Sequence, residues 1–271
     1  MSESHGIGAL AFESYLDTIG EEADRLGHAA EQDLRASVSS CPGWSTTDLL
    51  DHVTTVYERQ IVRLAAGDAA RDAAHDKAAH DKATHGGDAR SGAAGIGPRE
   101  GAATGGRDAL DRAATQLLAA LAELGPDAPC WNFTGHDCVA RWVARRVALE
   151  TAVHRIDAEQ AVGSTTPVET ELAVDGLDER IHVVLPHMLA RVPDATLGGS
   201  LCLVCTDADA AVVVDVAGGR VRARRGRGPA DAVVVGTASQ LLLYSWGRVG
   251  PDALELTGDR DVALAWSGLP G

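Results

Sequence analysis

The hydrophobic period of this chain changes once, near Pro167, and that change constrains the fold more than any other feature. Ahead of it, apolar residues recur at three- and four-residue spacing, as in helices that bury one face. Beyond it come apolar runs of four to six residues bounded by turn residues, as in short strands. A helical unit followed by a mixed one is expected, α+β overall.

The first helix is predicted from Ala11 to about Gln32, with Phe12, Tyr15, Leu16, Ile19 and Ala23 on its core face. Cys41-Pro42-Gly43-Trp44 then breaks the chain. Ser45 is a good N-cap with Asp48 three residues on, and the second helix carries Leu49, Val53, Val56, Gln60 and Leu64 along one face to Gly67. From about 67 to 106 the residues are mainly Ala, Gly, Asp and His, with Ala-His-Asp-Lys-Ala occurring twice. Almost nothing larger than Ala is available to bury there, so a flexible insertion is expected. The third helix is predicted from Arg107 to Leu124 around Leu110, Leu117, Leu118 and Leu121, and the fourth from Val139 to Val162. Four helices with one long crossover make a bundle, over residues 1–165. Residues 166–271 read as a small α+β domain. A helix spans Glu169 to Arg191, and strands fall at Leu201 to Cys205, Ala211 to Val216, Arg220 to Arg224 and Ala232 to Val235. Helical stretches at Ala238 to Arg248 and Asp261 to Ser267 flank the strand-like Ala253 to Thr257.

A chain of 271 residues is long enough for a substantial core, and with aromatics at 4% that core must be mainly Ala, Leu and Val. The net charge of -15 argues against nucleic acid as a partner, since a phosphate backbone needs a basic face. Lys77 and Lys82 are the only lysines, a usage that resembles GC-rich genomes. No apolar run approaches the ~20 residues of a membrane span and the first ten residues lack a signal-peptide pattern, so a cytoplasmic protein is expected. Five cysteines, an odd number, suit reduced thiols better than a disulfide framework.

One face of the fourth helix combines apolar and polar character. Val143, Val147, Glu150 and His154 share it, so the stripe aimed at the bundle core also carries a carboxylate and an imidazole. Burying either unpaired costs roughly 2 kcal/mol or more, so a partner is needed. His52 flanks the apolar stripe of the second helix and can supply it. Two imidazoles and a carboxylate, with one position left open, form the donor set of a catalytic zinc site. Taken alone, an E-x-x-x-H pair is also compatible with a surface pair or a satisfied core histidine.

Two stretches narrow this. Cys41-Pro42-Gly43-Trp44 followed by Asp48-Leu49 and His52 resembles the "CPGW-x-x-x-D-L-x-x-H" opening of mycothiol-dependent maleylpyruvate isomerase-like proteins. Glu150, His154, Arg155 and Asp157 are similar to the same family's "E-x-x-x-H-R-x-D" helix. The resemblance implies a DinB-like four-helix bundle followed by a small α+β domain, and it covers nearly the whole chain. It implies Zn2+ on His52, Glu150 and His154, and mycothiol, the low-molecular-weight thiol of actinobacteria, as cosubstrate. A soft thiolate suits zinc, which deprotonates a coordinated thiol at neutral pH. The implied reaction is S-transfer to, or cis–trans isomerisation of, a small-molecule electrophile.

The resemblance also extends to Leu241-Leu242 with Gly247-Arg248, and implies that Arg248 faces the metal cleft as a catalytic residue; a helix-terminal Arg complementing the dipole is the plainer alternative. Trp44 is a candidate for the thiol pocket or for packing. Cys202 and Cys205 sit at odd spacing on a strand and point to opposite faces, which disfavours chelation. Arg220, Arg222 and Arg224 alternate on one strand face and read as solvated. Two other functions compete: a zinc hydrolase with Asp51 or Asp157 as base, and a non-catalytic metal- or ligand-binding protein.

Overall fold

The computed structural model describes residues 10–67, 105–135, 137–190, 198–218 and 220–267. The chain divides into two compact units at Thr166/Pro167. The stretch read above as an insertion lies outside the described residues apart from its flanks.

The N-terminal unit is a bundle of α1 (Phe12–Gln32), α2 (Thr46–Ala66), α3 (Gly106–Leu124) and α4 (Ala140–Ala161). Each helix lies within about two residues of its sequence-predicted span. Ser45 caps α2 in a capping box: its side chain accepts from Asp48 N–H, and its own N–H donates to Asp48 Oδ2 at 2.8 Å. Gly67, at φ 51°, ends the same helix. Helix α1 packs chiefly on α4 and α3, and α2 on α3 and α4, so α2 and α4 are neighbours across the core. Tyr15, Ile19, Leu26, Leu49, Val53, Leu110, Leu117, Leu121, Val143 and Val147 fill that core. Helix α4 is buried on nearly every side from Ala140 to Glu159. Polar residues inside it therefore need partners.

The C-terminal unit opens with α5 (Thr170–Glu179), which continues through a π turn at Arg180–Val184 into α6 (Leu185–Leu189). The single helix expected here is widened for a physical reason. Pro186 has no N–H to donate and its ring crowds the carbonyl of His182. One wider turn absorbs this, with Leu185 N–H reaching back to Arg180 O. A five-stranded mixed sheet follows, in the order β3-β2-β1-β4-β5. Its strands are β1 (Gly199–Cys205), β2 (Ala211–Ala217), β3 (Arg220–Arg225), β4 (Ala232–Gly236) and β5 (Glu255–Gly258); β1 and β4 pair in parallel, the rest antiparallel. Leu201, Leu203, Val214 and Val234 are buried on one face, and Cys202, Val204 and Val213 on the other. Cys202 and Cys205 thus serve opposite faces and both are buried. Arg220, Arg222 and Arg224 are exposed.

Helix α7 (Ala238–Ser245) stops three residues short of the span read from sequence. The cause is a Schellman ending: Gly247 at φ 72°, Gly247 N–H to Tyr244 O at 3.0 Å and Arg248 N–H to Leu243 O at 2.8 Å. The expected strand at Ala253 to Thr257 is a 3-10 turn, Pro251–Ala253, then β5, and α8 (Arg260–Ser267) follows. Among the described residues no helix is long and apolar enough to cross a membrane.

Candidate metal centre

The facing helices α2 and α4 bring His52, Glu150 and His154 together. One ligand atom from each lies within 4.8 Å of the others. His52 Nε2 is 3.4 Å and His154 Nε2 3.2 Å from the same oxygen, Glu150 Oε1. The imidazole rings meet edge to face at 5.0 Å. Both histidine side chains are nearly buried, while Glu150 is 26% exposed, so the cluster opens to solvent on the carboxylate side.

The partners outside this trio decide its chemistry. Glu150 Oε2 accepts from the Arg146 guanidinium at 2.7 Å, which leaves Oε1 for the histidines. Burial would raise the Glu150 carboxyl, but hydrogen bonds from His154 and His52 and the charge of Arg146 hold it well below the usual carboxylate range. His154 Nδ1 lies 2.9 Å from Asp157 Oδ2. An ionised carboxylate only accepts, so Nδ1 carries the proton and Nε2 is the atom turned toward His52 and Glu150. Burial would lower the imidazole pKa, but Asp157 and Glu150 together raise it to about 9. In the metal-free protein Nε2 is therefore protonated at neutral pH, and a metal must displace that proton.

These residues fit a divalent metal such as zinc. Two imidazole nitrogens and one carboxylate oxygen converge, the carboxylate is ionised, and His154 donates its other N–H to a carboxylate as metal-ligating histidines do. A second group, Cys41, His154 and Asp157, is comparably close. It draws on the Asp157–His154 bond already made, so the trio around Glu150 Oε1 is the better-presented donor set.

Trp44 packs its ring against His52, with centroids 5.1 Å apart, and is half-buried. Arg248 belongs to the C-terminal unit, in the Schellman ending of α7, where a guanidinium N–H donates to Trp246 O at 2.8 Å. Asp157 is 1% exposed and accepts from both His154 and Ser40. That engagement suits it to hold a ligand rather than to act as a base. Two contributors escaped sequence reasoning: Arg146, which lies one turn before Glu150 on the same face, and Ser40. For Arg146 the i, i+4 spacing was a usable signal; for Ser40 there was none.

Residues 16–159 match the family model described as the mycothiol maleylpyruvate isomerase N-terminal domain, and residues 171–265 match that family's C-terminal domain. The chain belongs to this family. Its fold is similar to the crystal structure of the mycothiol-dependent maleylpyruvate isomerase (TM-score 0.57, 14% identity, 92% of this chain and 93% of that one). A histidine-to-alanine mutant of that isomerase aligns equally well (TM-score 0.59, 13% identity, the same coverage). At such identities the likeness establishes the shared fold. No curated protein matches the chain.

Proposed function

We propose that this protein is a metal-dependent, mycothiol-using enzyme, with Zn2+ held by His52, Glu150 and His154. Its reaction is cis–trans isomerisation of, or S-transfer to, a small electrophilic molecule. The observation that carries this reading is the convergence of His52 Nε2 and His154 Nε2 on Glu150 Oε1 at 3.4 and 3.2 Å, in a chain of this family. The solved relatives are mycothiol-dependent maleylpyruvate isomerases by name.

Zinc at this site would supply the charge that favours thiolate over thiol at neutral pH. The remaining work belongs to the chain's own residues. Arg146 keeps Glu150 ionised and fixes which oxygen faces the cluster. Asp157 holds His154 in the tautomer that presents Nε2. Trp44 covers one side of His52 and offers an apolar wall for a thiol cosubstrate. In an isomerisation the thiolate sulfur adds to one carbon of a conjugated double bond. The former double bond then rotates as a single bond, and expulsion of the sulfur restores the alkene and the thiolate. Charge accumulates on the conjugated carbonyl oxygen meanwhile, and Arg248 is our candidate to stabilise it.

The test is metal analysis followed by turnover of cis-configured conjugated keto acids, with and without mycothiol. About one zinc per chain and strictly thiol-dependent turnover are expected. Stoichiometric metal in a His52→Ala, Glu150→Ala, His154→Ala triple variant would overturn the ligand assignment. Thiol-independent cleavage of esters or amides would instead favour a zinc hydrolase.

A further inference from the structure

The segment between α1 and α2 is a short stretch without regular helix or strand, yet it meets one histidine of the candidate metal centre directly and reaches the other through Asp157. Its geometry follows from Cys41-Pro42-Gly43-Trp44. Proline presets the second position of a tight turn, and Gly43 at φ 87° takes the left-handed third position that side-chain-bearing residues avoid. Trp44 N–H closes the turn on Cys41 O at 3.0 Å, and Val38 N–H on Trp44 O at 2.9 Å locks the surrounding loop. This tight fold places Ser40 and Trp44 at opposite ends of one turn. The Ser40 hydroxyl donates to Asp157 Oδ1 at 2.6 Å, and Asp157 Oδ2 accepts from His154 Nδ1 at 2.9 Å. At the other end the Trp44 ring packs at a tilt against His52.

We infer that this turn is the alignment device of the metal centre, with Ser40 and Asp157 as positioning residues that act through His154. The inference rests on the metal reading proposed above. A carboxylate with one free oxygen can rock about its Cβ–Cγ bond, and a histidine bonded to it rocks too. Ser40 donates to the second oxygen from outside helix α4, and so helps to fix the carboxylate plane and the direction of His154 Nε2. A metal ligand held in this way needs less ordering when the ion binds. The hydroxyl is short, uncharged and half-buried, and its distance to Asp157 is that of a charge-assisted bond.

The experiment is zinc titration against a chromophoric chelator, together with the ligand-field spectrum of the cobalt-loaded protein. Asp157→Asn is expected to weaken zinc by about 10- to 100-fold. Ser40→Ala should weaken it by roughly three- to tenfold, the scale of one lost hydrogen bond. Both should alter the cobalt spectrum, because the His154 ring is no longer held. Ser40→Thr keeps the hydroxyl and should restore affinity to within about twofold of wild type, as should Ser39→Ala at the exposed neighbouring serine. Wild-type affinity and an unchanged spectrum in both Ser40→Ala and Asp157→Asn would overturn the inference. So would an equal loss in Ser39→Ala, or losses matched by a lower unfolding midpoint of the metal-free variants, since either outcome means general loop damage. Wild-type protein that takes up no zinc would instead bring down the metal reading itself, and this inference with it.

Discussion

Arg155 lies directly after the proposed ligand His154, and replacing it should damage the fold while sparing the candidate metal centre. Its side chain is fully buried. Nε donates to Glu22 Oε2 at 2.6 Å, one terminal nitrogen to Glu22 Oε1 at 3.3 Å, and the other to Glu159 Oε2 at 3.0 Å and Thr166 O at 2.7 Å. Arg155→Met removes all of these and leaves two nearly buried carboxylates side by side. Breaking a buried ion pair by deleting one partner costs about 3–5 kcal/mol. Arg25 still touches both Glu22 and Glu159, at 3.0 and 3.4 Å, but its side chain is 39% exposed and its charge is screened. The lower end of the range, about 3 kcal/mol, is therefore expected. For a unit of this size that corresponds to a drop of roughly 6–12 °C in Tm. Denaturant unfolding followed by far-ultraviolet circular dichroism measures it. Replacing Glu22, Arg155 and Glu159 together by Met removes the stranded charges and should recover most of the loss. The folded single variant should still bind zinc. A loss below about 1 kcal/mol, or a triple variant worse than the single one, would refute the reasoning.

Three further outcomes are expected. Zinc affinity should rise about tenfold per pH unit between the usual histidine value near 6.5 and the raised His154 value of about 9, then level off, with about one proton released per zinc at neutral pH. The sign for the metal-free protein follows from the same shift. The His154 ion pairs contribute stability that is fully present below 6.5 and lost as pH rises through about 9, and a pH-independent zinc affinity would contradict both statements. Replacing residues 68–105 by a short Gly/Ser linker should leave cooperative unfolding and zinc content intact, because loop closure depends only weakly on length; loss of cooperativity would show that the segment is structural. Arg248→Lys should lower turnover by roughly 10²-fold without altering zinc content, since lysine lacks the planar fork. Full activity of Arg248→Ala, or unfolding of the C-terminal unit, would assign that residue to the Schellman ending alone.

The helices were legible in the sequence because each repeats apolar residues at helical spacing, and α2 is punctuated as well by chemistry that acts locally: Ser45 with Asp48 at its start, and Gly67 at its end. The strands were legible because Val, Leu and Cys cluster in runs too short to be helices. Two events depended on tertiary context or on a local competition. The π turn arises from Pro186 inside an otherwise continuous helical pattern, where propensity alone allows a kink, a stop or a widened turn. The early end of α7 depends on Gly247 taking a left-handed conformation that the apolar run before it does not dictate. In the candidate metal centre, the Glu150 and His154 pair follows from spacing on one helix. Ser40 lies 117 residues from Asp157 in sequence. No local pattern links them.

Helix α4 shows why the stretch Glu150 to Glu159 concentrates so much chemistry. Successive residues turn by 100°, so Glu150, His154 and Asp157 share one face while Arg155 and Glu159 turn toward α1 and the segment after α4. The first face carries the proposed ligands and the carboxylate that orients one of them. The second ties α4 to Glu22 on α1 and to the backbone at Thr166. The directional bonds of Arg155 hold α4 against α1 and the segment after α4, and so contribute to the stability of the bundle. One stretch of helix thus presents the proposed ligands on one side and anchors itself in the bundle on the other. This division accounts for so many charged side chains inside a helix that is buried nearly all round.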